Sequence, residues 1–143
     1  MGKRIGRSGP FIRRAYALCL LVATCTHAVP LIQHGVFWDY GGVGWVTAAF
    51  WTSLTVADPV AAACLFVRPR LGLVLTTGII TLDVLHNAII FSQSFFHPSE
   101  RHLWTYTAFG LQVAFLVFVV ATVRVAWRQA RTSLASQPSA QYR

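Results

Sequence analysis

Four stretches of this chain, residues 15 to 33, 44 to 67, 71 to 93 and 103 to 127, carry at most one charged residue each and are long enough to cross a bilayer. A helix needs roughly 20 residues for that crossing, at about 1.5 Å of rise per residue. In hydrocarbon the backbone must satisfy its own hydrogen bonds, which leaves helices or closed barrels. Barrel strands are about ten residues of alternating polarity, and none of the four stretches alternates. The expected fold is therefore an all-α, antiparallel four-helix bundle in a membrane. Charge agrees: 11% of the residues are charged, against about a quarter in an ordinary soluble domain.

The basic residues set the expected orientation. Lys3, Arg4, Arg7, Arg13 and Arg14 precede span one, Arg68 and Arg70 separate spans two and three, and Arg124, Arg128, Arg131 and Arg143 follow or close span four. Of the twelve, Arg101 alone falls on the opposite side. The positive-inside rule then puts both termini in the cytoplasm, and a bacterial inner (plasma) membrane is the expected location. The net charge of +8 is divided among three membrane-flanking segments, a distribution that suits anionic membrane lipids and not a nucleic-acid partner. Span one reads as an uncleaved helix and not a signal peptide. Its apolar stretch runs past Leu31, and Leu18 and Thr24 stand where a lipoprotein cysteine at position 19 or 25 needs a small residue.

The expected organisation is a basic flexible arm over 1–13, a membrane domain over 14–128 and a flexible tail over 129–143, because the ends have too little apolar surface to offset ordering. The inner loop Arg68, Pro69, Arg70 is so short that spans two and three must be neighbours. The outer connection from His34 to Val43 combines Phe37, Trp38, Asp39 and Tyr40 with Gly35, Gly41 and Gly42. Its aromatics suit an interfacial belt, and its glycines permit a tight re-entry.

Polar residues inside the spans carry what functional signal there is. An ionisable group in hydrocarbon costs roughly 2.5 to 3.5 kcal/mol on insertion scales. His27, Asp58, Asp83 and His86 all fall within a central slab of about 10 Å when each span is centred on the bilayer. At about 100° per residue, span one aligns Tyr16, Thr24, His27 and His34, span two aligns Thr47, Trp51, Thr55, Asp58 and Ala62, and span three aligns Gly72, Thr76, Asp83, His86 and Asn87. Span four adds Thr105, Ala108 and Gln112. Such stripes face a bundle interior or a water-filled cavity. The expectation is a midplane pocket built on His27, Trp51, Thr55, Asp58, Asp83, His86, Asn87 and Gln112, which binds a small amphipathic ligand or transfers protons. Two carboxyls brought close there share a proton. Pro30 and Pro59 add acceptors beside it, by freeing the carbonyls of Thr26 and Thr55. The competing reading is a noncatalytic accessory or assembly subunit in which the same residues fix helix packing.

Other chemistries are open to these residues. His27 and His86 lie at similar depth on inward faces, as two axial haem ligands would, although no cofactor is required by the pattern. His34, Asp39, His97, Glu100 and His102 gather on the outer side without metal-ligand spacing. Cys19, Cys25 and Cys64 form no C-x-x-C pair, and Cys19 and Cys25 point roughly 120° apart, so a thiol oxidoreductase is disfavoured. A chain of this size also suits a cation-coupled exporter assembled as a homodimer, with Asp58 or Asp83 carrying the proton.

The order of features resembles the emopamil-binding-protein superfamily. The residues that carry the likeness are Arg13 and Arg14 before span one, Thr26 to Pro30 near its outer end, Asp58 followed by Pro59, the mid-span His86 and the aromatic start of span four. The resemblance implies an EXPERA-type four-helix membrane protein with cytoplasmic ends and a pocket, open toward lipid, for sterol-like or cationic amphipathic ligands. Isomerases of that family protonate a double bond with acidic side chains against an aromatic wall. Here His27 and Asp58 match, and Trp51 takes the place of the wall. Span one lacks the carboxylate often found in the family and Asp83 is offset, so whether the chain is an enzyme is left open.

Overall fold

The computed structural model describes residues 8–94 and 103–135. Those residues form four helices, α1 (Ser8–His34), α2 (Trp45–Val67), α3 (Pro69–Ser94) and α4 (Leu103–Ala135). Each contains a segment long and apolar enough to cross a membrane. α1 packs on α2, α2 on α3, α3 on α4, and α4 returns to α1, while α1 and α3 barely touch. The helices thus close a ring.

The helices outrun the apolar windows at two places. Residues 8–13 are the first turns of α1, and 129–135 are the last of α4. Hydropathy marks only the part of a helix that sits in hydrocarbon, whereas these turns have packing of their own. Ile12 and Ala130 are buried in the core, and the Arg13 guanidinium donates from Nη1 to the Leu65 carbonyl at 3.2 Å. That carbonyl is among the last of α2, which have no partner within their helix.

The core is concentrated at the end where α2 turns into α3. It brings together Tyr16, Leu20, Ala61, Leu65, Leu73 and Val119. Small residues let the backbones approach, as in helix packing in membranes generally. Gly72 is the extreme case, because a Cβ there would lie 2.6 Å from the carbonyl carbon of Cys64 and nearer still to the backbone of Leu65. The sequence pattern put Gly72 on a polar stripe, but its work is to let α3 touch α2. Outward faces are aliphatic, with Leu18, Val22, Val56, Val74, Leu82 and Val120 all exposed. A water-soluble surface so rich in apolar patches would aggregate, and lipid removes that problem.

At the other end, residues 35–44 connect α1 to α2 through tight turns. Gly35 ends α1 in the left-handed region at φ 92°, and its N–H closes on the Leu31 carbonyl at 2.8 Å. Tyr40 also adopts a left-handed conformation, at φ 55°, which is uncommon for a bulky side chain. Its ring contacts compensate: it lies 4.6 Å from Trp38 and 5.3 Å from Trp51.

Candidate functional site

Between the aliphatic core and the aromatic loop lies a polar layer. Asn87 on α3 is its hub. Its Oδ1 accepts from the Trp51 indole Nε1 of α2 at 3.1 Å. Its Nδ2 donates to Asp83 Oδ1 one turn earlier at 2.8 Å and to Gln112 Oε1 of α4 at 3.1 Å. One amide therefore ties three helices together, with both N–H bonds used.

The two acids lie inside this layer. Asp58 on α2 is 1% exposed and Asp83 on α3 is 5% exposed, and the two helices pack on each other. Asp83 has the Asn87 amide as a donor, whereas the buried Oδ1 of Asp58 has no hydrogen-bond partner. A charged carboxylate left in that state is strongly penalised in low dielectric. A proton or another cation removes that penalty.

The imidazole of His86 stands at the edge of this layer. Its Nε2 lies 3.2 Å from the hydroxyl of the buried Thr47, and its ring packs 4.5 Å from Phe50 and edge-on to Trp51 at 6.4 Å. To ligate a haem iron through Nε2 it would have to abandon Thr47. His27, the other expected ligand, is partly buried on α1. Of the expected site, the structure thus joins Trp51, Asp83, Asn87 and Gln112 by hydrogen bonds, buries Asp58 on the helix packed against that of Asp83 and packs His86 on Trp51. His27 and Thr55 enter none of these contacts.

Three threonines of the stripes behave differently from expectation, whereas Thr47 meets His86. Thr24, Thr55 and Thr76 donate to Leu20, Thr52 and Gly72 carbonyls of their own helices, at 2.9, 2.7 and 2.8 Å. Back-bonding of this kind satisfies a hydroxyl in lipid without any partner helix.

Two participants were not legible as such in the sequence. Tyr40, read as part of an interfacial belt, leans on Trp51 and brings its hydroxyl to 3.4 Å from Thr52. With His34 stacked on Trp38 at 4.3 Å, the rings form a continuous series from the loop to His86. Thr122 on α4 lies 2.6 Å from the Tyr16 hydroxyl, a further polar link between helices that no span-four stripe predicted. Only the presence of a buried tyrosine on span one hinted that a partner was needed.

Of the outer metal candidates, Asp39 Oδ1 accepts the Gly41 N–H at 3.1 Å, which makes it a turn residue. His97, Glu100 and His102 lie outside the described residues. Among the described residues, no group of three or more His, Cys, Asp or Glu could hold a metal ion. No protein-family model matches the chain, and neither a curated protein nor a solved structure matches it.

Proposed function

We propose that this chain is an integral membrane protein, with antiparallel spans and both termini cytoplasmic, whose Asp58 and Asp83 pair takes up and releases a proton in the middle of the membrane. The orientation rests on the distribution of arginines. The observation that carries the proton reading is the buried, unpartnered Oδ1 of Asp58, with a second buried carboxyl, Asp83, on the helix packed against it. Two acids in hydrocarbon are a costly way to specify packing alone, and intramembrane acids mark proton and ion paths. A small amphipathic amine fits the same chemistry, since its ammonium group would neutralise Asp58 and face the rings of Trp51 and Tyr40. That extension agrees with the resemblance to emopamil-binding proteins.

The second reading, a noncatalytic assembly subunit, is favoured by the complete hydrogen bonding of the Asn87 amide. Infrared difference spectra of the protein in liposomes, taken across a pH step, separate the two. In a proton site, the carbonyl band of a protonated carboxyl changes with the step and vanishes in Asp58→Asn, while melting in detergent is unchanged. Early melting of Asp58→Asn and Asp83→Asn, with no carboxyl band responding to pH, assigns both acids to packing and overturns the proposal.

A further inference from the structure

The groove between α3 and α4 lies well away from the acids. Toward the hydrocarbon it is lined by Leu73, Val74, Thr77, Gly78, Val123 and Trp127, with a volume of about 250 Å³. A second depression of about 360 Å³ on α4 shares Val123 and Trp127 with it and is flanked by Arg124, Arg128 and Arg131. These arginines fall within about 60° of one another around the helix, so they form one stripe. All three are exposed.

Among the described residues, no acid is placed to neutralise them. The chain's four acids are Asp39, Asp58, Asp83 and Glu100, and residues 101–143 contain none. Asp39 belongs to the 35–44 loop at the far end, and Asp58 and Asp83 are buried. We propose that this groove binds one anionic phospholipid, with its phosphate on Arg124, Arg128 and Arg131 and one acyl chain lying along Val74, Gly78 and Val123. Charge complementarity selects the head group, because Arg presents a planar fork to phosphate oxygens. Continuity with the apolar groove selects a lipid over free phosphate, and Trp127 sits between the two parts as an indole does at a membrane interface. Gly78 keeps the groove open, since a Cβ there would meet nothing within 4 Å.

Native mass spectrometry of the detergent-purified protein, titrated with phosphatidylglycerol or phosphatidylcholine, tests this. One phosphatidylglycerol should bind in preference to phosphatidylcholine. Each Arg→Ala change should weaken it about five-fold and the triple change on the order of 100-fold. Gly78→Leu leaves the arginines intact and fills the groove, so it should weaken phosphatidylglycerol binding while the melting temperature holds. Equal affinity for both lipids overturns the proposal, as does indifference to Gly78→Leu. Displacement by inorganic phosphate at low millimolar concentration would reduce the site to a phosphate contact, and a Gly78→Leu variant that turns from dimer to monomer would assign the groove to a second copy.

Discussion

Replacing Asn87 by Leu keeps the side-chain size and removes three hydrogen bonds, to Trp51, Asp83 and Gln112. Hydrogen bonds between side chains of membrane helices contribute about 0.6 kcal/mol each on average and about 1.7 at most. The expected loss is therefore about 2 kcal/mol, rising toward about 5 if the orphaned groups find no new partners. Trp51→Phe removes one of the three and should lose about 0.6 kcal/mol from that bond, plus whatever the smaller ring loses against Tyr40 and His86. Because the Trp51 bond is counted in both single variants, the double variant should lose less than their sum, by roughly that bond's share. Reversible unfolding by titration with sodium dodecyl sulfate in mixed micelles, followed by circular dichroism, measures all four proteins. An Asn87→Leu variant within about 0.5 kcal/mol of the parent, or strict additivity with Trp51→Phe, would refute the assignment of Asn87 as the hub.

The remaining predictions use the same assay. Gly72→Ala must push α3 off the backbone of Leu65 and Cys64 and should cost about 1 to 3 kcal/mol, whereas Gly78→Ala, six residues on, meets open space and should be neutral or stabilising by up to about 1 kcal/mol. Equal effects at the two positions would show that α2 and α3 do not touch at Gly72. Tyr16→Phe should lose only about 0.6 to 1.7 kcal/mol, because Thr122 keeps its bond to the Phe118 carbonyl. Tyr16→Ala should lose about 3 or more, since it also empties a fully buried ring site against Phe115 and Phe118.

Hydropathy is a local property, and each of its four apolar windows falls on one of the four helices. Helix ends beyond those windows depend on tertiary partners, such as Leu65 for Arg13, which a hydropathy window does not register. The inward positions of Asp58, Asp83 and Asn87 were legible because burying a polar side chain among apolar neighbours needs a reason wherever it occurs. Which groups they meet was not legible, since that depends on the rotation of each helix about its axis. The periodicity that correctly gathered Trp51 and Asn87 also gathered Thr55 and Thr76, whose hydroxyls turn back on their own helices. Tyr40 eluded sequence reasoning for a different cause: its place over Trp51 is set by the path of a loop through left-handed turns.

The indole of Trp51 can donate a hydrogen bond but cannot accept one. Its contact with Asn87 therefore fixes which end of that amide is oxygen, and the amide nitrogen is left to point at both Asp83 and Gln112. Gln112 must in turn offer its oxygen, and Asp83 must receive on Oδ1 whatever its ionisation. Any proton that Asp83 carries is thus directed onto Oδ2. One tryptophan gives the whole chain of bonds a single direction, so that a proton has one assigned seat on this carboxyl and not two equivalent ones.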